Sequence, residues 1–213
     1  MPTQRSIPVV LNVNHLLDPV SGGGTAERTF QMSRFLAKAG IDCRVLTTDL
    51  GLTAERRARL NGVTITAAAC LLKRFFVPRL SPAAIRELVR QADVVHLMGH
   101  WTVLNALVYL AARAASKPYV VCPAGALPLY GRSRWLKKLY NALIGRAIIA
   151  NAAAWVAVTP DETAQFAAYG VDAGQITVLP NGVTLTISAP EMSQPSATGT
   201  AWAMRRCCCS WAA

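Results

Sequence analysis

Short apolar segments alternate with longer amphipathic segments along most of the chain. Segments such as 7–13, "IPVVLNV", and 93–98, "DVVHLM", are apolar and rich in β-branched residues, as buried parallel strands are. Between such segments, apolar residues recur three and four positions apart, which is the spacing of one helix face. The alternation predicts an α/β fold with a Rossmann-like, doubly wound parallel sheet.

The pattern defines seven strands and at least five helices. The predicted strands are 7–13, 41–49, 63–68, 93–98, 119–122, 154–158 and 175–180. The predicted helices are 25–39, one that begins at Ser81, 102–115, 134–150 and one from Thr159 to Gly170. Local signals mark several ends: Ser81 and Pro82 suit a helix start, Gly40 suits a helix end, and Thr159–Glu162 has the form of a capping box.

The strand–helix rhythm stops at Thr184. Residues 184–213 contain one acidic residue and end in a mixture of Cys, Trp and Ala. We therefore predict a domain over residues 1–183 and an irregular, unstructured tail over 184–213. Out-of-frame translation of GC-rich DNA yields similar mixtures, which leads to the hypothesis that the tail arises from a frameshift.

The overall charge is strongly positive. Lys and Arg number 22 against 11 acidic residues, a formal charge of +11. This suggests an anionic partner, although compositional bias remains an alternative. The sequence shows no recognisable signal peptide and no apolar run of about 18 residues, and its isolated cysteines suit a reducing compartment. These features predict a cytoplasmic protein, and no ligand spacing implies a bound metal.

Three adjacent glycines, Gly22–Gly24, follow the first predicted strand and precede Thr25. Backbone N–H groups at a glycine-rich helix start can bind a phosphate, whereas the alternative is a tight turn without a ligand. The run lacks the G-x-G-x-x-G spacing of dinucleotide-binding proteins. Asp49 follows about 25 residues later, so an NAD-binding oxidoreductase stays open as a weaker alternative.

The turn after the fourth predicted strand contains a second group of candidates. His100 and Trp101 lie at the strand end, where a histidine beside an aromatic ring suits sugar binding or proton transfer. His100 is thus a weak catalytic candidate. His96 lies within the strand and suits a structural role. Cys122, without a nearby acid or base in the sequence, suits a buried thiol.

A basic and aromatic segment follows the fifth predicted strand. Arg132, Arg134, Lys137 and Lys138 alternate there with large apolar residues. This composition suits a membrane surface with anionic lipids, a pyrophosphate-linked acceptor, or an ordinary amphipathic helix. The basic residues are spread along the chain and form no recognised nucleic-acid-binding module, which argues against a nucleic-acid partner.

Three segments together resemble the N-terminal half of family 4 (group 1) retaining glycosyltransferases of the GT-B fold. They are "GGGTAERTFQMSRFLAKAG", "ADVVHLMGHWTVLNALVYLAARAASKPYVVCPAGALPLYGRSRWLKKLYN" and "AVTPDETAQFAAYGVDAGQITVLPNGV". The resemblance extends over residues 7–183. It implies a nucleotide diphosphate sugar as donor, and a cell-envelope glycan or lipid-linked sugar as acceptor. It also implies no separate cofactor and a location in the cytoplasm or at the inner membrane face.

The resemblance also implies a set of substrate-binding residues. Gly22, Gly23, Gly24 and Thr25 match a loop that lies at the interdomain cleft of such enzymes. His100 and Trp101 match the rim of that cleft. The residues Pro123, Ala124 and Gly125 match a loop in which many relatives carry His or Arg between Pro and Gly, so Ala124 removes that side chain. Arg132, Lys137 and Lys138 suit the acceptor side.

The second, donor-binding domain of such enzymes has no counterpart after Val183. Its pair of glutamates separated by seven residues is absent from 184–213. We therefore expect a truncated, acceptor-side domain that transfers little or no sugar by itself. The alternative is a non-catalytic module that binds a membrane surface or a partner chain.

Overall fold

The computed structural model describes residues 7–129 and 133–182, and these contain nine strands. In chain order the strands are β1 (Val9–Val13), β2 (Asp42–Thr48), β3 (Val63–Ala68), β4 (Cys70–Leu72), β5 (Val77–Pro78), β6 (Val94–Met98), β7 (Tyr119–Cys122), β8 (Ala154–Ala157) and β9 (Ile176–Val178). Seven of them form one parallel sheet in the order β3-β2-β1-β6-β7-β8-β9. The predicted Rossmann-like sheet is confirmed.

Helices connect the parallel strands. They are α1 (Pro19–Lys38), α2 (Ala54–Ala58), α3 (Pro82–Arg90), α4 (Val103–Ala114), α5 (Arg134–Tyr140), α6 (Arg146–Ala150) and α7 (Thr163–Ala167). A π-helical turn over Asn141–Gly145 joins α5 to α6, so the predicted helix 134–150 is continuous but locally widened.

The strand order reverses direction between β1 and β6. From β1 the chain builds outward to β2 and β3, then returns to pair β6 with β1, with Val10 opposite Val94. In open α/β sheets, ligands bind in the crevice at the carboxyl ends of the strands where this reversal occurs. The segments that follow β1, β6 and β7 are therefore the ones expected to line a ligand site.

The apolar core forms on both faces of the sheet. Successive side chains of a strand point to opposite faces, and Leu46 packs in a large cluster that includes residues of β6, β7, α3 and α4. Its neighbour Val45 packs with Leu17, Phe30 and Leu60 in a smaller cluster. Because Phe30 lies on α1, this smaller cluster holds α1 against the sheet.

Several predicted helix ends are confirmed, and one is wrong. Ser81 Oγ accepts a hydrogen bond from the backbone N–H of Ala84, and Gly40 takes a positive φ of 80° after α1. The predicted capping box at Thr159–Glu162 does not form. The Thr159 side chain caps nothing, and the Glu162 carboxylate instead accepts from the N–H of Val158 at 2.9 Å.

The antiparallel hairpin β4–β5 has no counterpart among the predicted elements. Its strands are three and two residues long, too short to show a period-two pattern. Asp49 Oδ1 accepts from the N–H of Cys70 at 3.1 Å and links the hairpin to the end of β2. The predicted tail, residues 184–213, lies outside the described residues.

Candidate active site

The carboxyl edge of the sheet brings three candidate segments together. Asn14 and His15 follow β1, the turn Gly99–Trp101 follows β6, and Pro123–Gly125 follow β7. The N–H of Gly99 donates to the carbonyl of Cys122 at 3.0 Å, so the last two segments touch. This edge coincides with the reversal of strand order, where a substrate crevice is expected.

The glycine run lies inside a helix rather than in a loop. We predicted a helix start at Thr25, but α1 begins at Pro19, with the carboxylate of Asp18 accepting from the N–H groups of Val20 and Ser21. Asp followed by Pro is a strong helix-start signal, and this signal was missed. The helix then kinks at Gly23, whose φ of 54° and ψ of −143° are not helical.

Two of the three glycines have a clear steric or conformational reason. A Cβ on Gly22 would lie 2.6 Å from the Cβ of Ala26, far inside van der Waals contact. Gly23 has open space around it but holds a backbone conformation that L-residues rarely adopt. A Cβ on Gly24 would lie 3.9 Å from Asn181 Nδ2, an ordinary contact, so Gly24 has no such restriction.

Substitution of Gly23 by Ala is expected to lower the free energy of unfolding by about 1–3 kcal/mol, the usual cost of a strained backbone conformation. Gly24→Ala is the matched control and is expected to be neutral or slightly stabilising, because Ala favours helix. Urea denaturation of both variants tests this. Equal effects of the two substitutions would show that the kink at Gly23 does not demand glycine.

Asn14 fixes the second part of α1 over the sheet edge. Its Nδ2 donates to the carbonyl of Thr25 at 3.0 Å and to Thr29 Oγ1 at 2.9 Å. Thr25 Oγ1 in turn donates to the carbonyl of Gly22 at 2.8 Å across the kink. These bonds hold the glycine run in a defined position at the edge.

Arg28 is a buried cation at this edge that the sequence analysis missed. Its guanidinium donates to the carbonyl of Leu179 at 2.8 Å and to Asn181 Oδ1 at 3.0 Å, which ties α1 to the segment after β9. Burial raises the pKa of the Cys122 thiol, and the positive charge of the same guanidinium partly opposes this shift. An arginine on an amphipathic helix gives no sequence signal of burial, so only the fold reveals this contact.

His100 is 2% exposed and packs among the rings of Trp101, Tyr140 and Tyr169. Its Nε2 lies 3.1 Å from Asn141 Oδ1, and Asn141 Nδ2 donates to the hydroxyl of Tyr169 at 2.9 Å. Because Asn141 therefore presents its oxygen to the ring, Nε2 carries the proton. Burial lowers the pKa of His100 to about 4.

The π-helical turn makes room for this histidine. A Cβ on Gly145 would lie 3.0 Å from His100 Nε2 and 2.4 Å from Asn141 Oδ1. The hydroxyl of Tyr140 donates to the carbonyl of His100 at 2.9 Å. His100 is thus enclosed by protein. Its contacts hold the turn after β6 against α5.

The other two histidines also lie at or near the edge, where His96 is buried and His15 is partly buried. His96 Nδ1 lies 3.2 Å from Asn12 Oδ1 within the sheet, which suits the structural role predicted for it. His15, which the sequence analysis did not consider, packs against Phe76 of the hairpin in a tilted arrangement with ring centroids 4.4 Å apart. Burial lowers the pKa of both histidines to about 4, and the charge of Arg28 adds to this effect at His96.

The loop after β7 has an unusual backbone. Ala124 and Gly125 have positive φ values of 50° and 79°, and a non-glycine residue in that region is uncommon. Glu162 is buried beside this loop, with Oε1 3.6 Å from a Cβ placed on Gly125. Burial raises the pKa of the neighbouring Cys122 to about 11, which agrees with an inert thiol.

The basic residues after this loop lie partly on α5. Lys137 Nζ lies 5.3 Å from the centroid of the Trp101 ring, and the Trp101 indole N–H donates to the carbonyl of Ala126. Lys138 is exposed on the same helix. Arg132 falls outside the described residues. The structure therefore links Lys137, but not Lys138, to the turn that carries His100.

Comparison with solved structures supports the fold. The chain is similar to Anabaena HepE in complex with UDP-glucose, with a TM-score of 0.59, 13% identity, and coverage of 82% of this chain and 44% of that one. It is also similar to a putative UDP-N-acetylglucosamine 2-epimerase from Listeria monocytogenes, with a TM-score of 0.53, 13% identity, and coverage of 81% and 45%. The chain thus spans less than half the length of these proteins.

Comparison of the sequence with protein families identifies the relationship. No curated protein sequence matches the chain. Residues 23–182, most of the chain, match the family described as the glycosyl transferase 4-like domain. This match begins within the glycine run and ends just after Asn181, so it contains every strand of the parallel sheet except β1. The chain belongs to the family of glycosyl transferase 4-like domains.

Proposed function

We propose that this chain is the acceptor-side domain of a retaining glycosyltransferase that uses a nucleotide diphosphate sugar. The observation that carries the proposal is the family match, together with the segments that meet at the carboxyl edge of the sheet where the strand order reverses. The similar structure of Anabaena HepE is a complex with UDP-glucose, which supports a nucleotide sugar as donor. The acceptor is a hydroxyl of a cell-envelope glycan or lipid-linked sugar.

In the proposed reaction the bond from the anomeric carbon to the diphosphate breaks. A new bond from the acceptor oxygen forms on the same face of the sugar. The hydroxyl proton leaves with the departing diphosphate. Such reactions are accelerated by stabilising the leaving diphosphate and by positioning the acceptor. We assign this positioning to the edge formed by the kinked α1, the turn Gly99–Trp101 and the loop Pro123–Gly125.

The individual residues have different roles in this proposal. The N–H groups that follow the kink at Gly23 are directed to the diphosphate, because a helix start attracts anions. Ala124 supplies no reacting side chain. We assign His100 a positioning role, in which it holds the turn after β6, because its ring is only 2% exposed and is enclosed by protein. Arg28 positions α1 relative to the segment 179–181.

An NAD-binding oxidoreductase is the less favoured function. Such a protein would bind the ribose of NAD through a carboxylate at the end of β2. Here that carboxylate, Asp49, uses Oδ1 to accept a hydrogen bond from the N–H of Cys70. The glycine run also lies within a kinked helix rather than in the tight turn between strand and helix that such proteins use.

A transfer assay with two forms of the protein tests the proposal. One form is the 213-residue chain, and the other continues after Gly182 in whichever reading frame prolongs the strand–helix pattern. With radiolabelled UDP-glucose and other sugar nucleotides, and with bacterial membranes as acceptor, we expect transfer from the continued form and little from the chain alone. Two results would contradict the proposal. One is that no reading frame prolongs the strand–helix pattern. The other is that the protein binds NAD but binds no sugar nucleotide.

A further inference from the structure

Two elements of the structure expose large apolar side chains to water. One is the hairpin β4–β5 and the other is the helix formed by α5 and the π-helical turn. The exposed side chains are Leu71 (63% exposed), Leu72 (50%), Phe75 (38%), Trp135 (67%), Leu139 (47%) and Leu143 (74%). A concentration of such side chains on a soluble protein marks a surface that contacts another apolar phase.

These two elements face each other across a groove of about 450 Å³. Arg74 and Phe75 line it from the hairpin, and Lys137, Leu139 and Leu143 line it from the helix. The remaining lining residues are Trp101, Val103, Ser133, Leu136 and Tyr140. We call this surface the hairpin–helix groove. Because the hairpin was not predicted from the sequence, the sequence showed only the helical half of it.

The charged residues that line the groove are all basic. No acidic residue occurs in the sequence between positions 56 and 86 or between 94 and 160, and these two stretches contain the whole groove. The hairpin contributes Lys73 and Arg74, whereas the helix contributes Arg134, Lys137 and Lys138. A surface that combines cations with exposed Trp, Phe and Leu, and lacks carboxylates, is complementary to an anionic apolar boundary.

We propose that the hairpin–helix groove docks onto a bilayer rich in anionic phospholipid. The cations contact the headgroup phosphates, while Trp135, Leu139 and Leu143 enter the boundary between headgroups and acyl chains. Trp suits this boundary because its ring is apolar and its N–H is polar. Within the described residues, no helix has the length and hydropathy needed to cross a bilayer, so the contact is a peripheral one.

The groove is connected to the candidate active site. Trp101 belongs to both, since it lines the groove and lies beside His100, and Lys137 contacts its ring. At the other side of the hairpin, Phe76 packs against His15 at the end of β1. Docking would thus place the carboxyl edge of the sheet beside the bilayer. This last step rests on the proposed function and narrows its acceptor to a sugar anchored in lipid, but the docking itself does not depend on it.

Sedimentation with vesicles tests the docking without any sugar donor. We expect the 213-residue chain to bind vesicles of phosphatidylglycerol and phosphatidylcholine and to bind pure phosphatidylcholine at least tenfold more weakly, because each cation near an anionic surface favours binding. The double substitution Trp135→Ser with Leu143→Ser is expected to weaken binding to the mixed vesicles by about tenfold or more. Arg74→Gln with Lys138→Gln is expected to reduce binding similarly at low salt.

Matched controls separate this surface from general stickiness. Phe35→Ser removes a side chain that is 70% exposed on α1, and Arg57→Gln with Arg86→Gln removes two exposed cations elsewhere. Both controls are expected to bind as the unchanged protein does. All variants keep residues 183–213, so any contribution of these residues cancels. Equal losses in controls and test variants, equal binding to neutral vesicles, or binding to duplex RNA but not to vesicles would overturn the proposal. Absence of sugar transfer would not affect it.

Discussion

Acidification from about pH 7.5 to pH 5 is expected to lower the free energy of unfolding by several kcal/mol. His96 and His100 are buried and His15 is partly buried, and this loss of contact with water lowers the pKa of each from 6.5 to about 4. Below pH 6.5 the unfolded chain binds a proton at each histidine, whereas the folded chain stays neutral until about pH 4. The contribution of the three neutral histidines to the free energy of unfolding is therefore fully present above about pH 6.5, and it decreases as the pH falls through this window.

The size of this effect follows from the pKa difference. One pKa unit corresponds to about 1.4 kcal/mol, so each histidine can cost up to about 2 kcal/mol at pH 5. His15 is less buried than the other two and contributes the smallest share. The lowered pKa values of Asp18 and Glu27 also lower the stability on acidification, but they act in more acidic solution than this window. The total is a large fraction of the stability of an ordinary domain.

Urea denaturation at pH 7.5 and pH 5 measures the effect. His100→Gln retains a side-chain N–H that can donate to Asn141 but cannot be protonated, so this variant is expected to lose less stability on acidification. His96→Asn provides a second test within the sheet. A free energy of unfolding that is equal at both pH values would show that these histidines are not held neutral by the fold.

Phe30→Ala is expected to destabilise the protein by about 3–5 kcal/mol, as truncation of a buried aromatic side chain usually does. Phe30 is fully buried against Leu17, Val45 and Leu60, and the guanidinium of Arg56 lies 3.5 Å from its ring centroid. The substitution leaves a cavity and also removes the ring beneath this guanidinium. Because the smaller core cluster holds α1 on the sheet, its loss also loosens the helix that carries Gly23 and Arg28.

Phe35→Ala is the matched control for this prediction. Phe35 lies on the same helix but is 70% exposed, so its truncation is expected to change the free energy of unfolding by less than about 0.5 kcal/mol. Hydrogen exchange adds a local measurement, since Phe30→Ala should speed exchange of the amides of α1 more than those of α4. Similar losses for Phe30→Ala and Phe35→Ala would mean that the smaller cluster does not hold α1.

The strands and longer helices were predictable because their signals are local. Buried parallel strands are continuous apolar runs, and helices such as α3 and α4 show their packing face through residue spacing. Ser81 before Pro82 and Gly40 after α1 act on the backbone within a few residues. Such signals require no knowledge of distant parts of the chain.

The glycine run shows where local signals were insufficient. Its composition indicated freedom of the backbone, but Asp18 and Pro19 had already started the helix. Whether Gly22 is needed depends on Leu16 and Ala26, which approach it only after folding. The capping box failed for a similar reason, since the Glu162 carboxylate found the N–H of Val158 instead.

The amino-acid sequence by itself determined the class of fold, the position of the candidate edge and the family resemblance, because hydrophobic periodicity and the succession of strands and helices along the chain are recorded in neighbouring residues. Only the tertiary structure decided that His100 is enclosed, that Arg28 joins α1 to Leu179, and that a hairpin faces α5 across an apolar groove. These features are contacts between residues tens to more than a hundred positions apart in the chain. Burial and charge at such contacts depend on which elements pack together, and no local pattern encodes that choice.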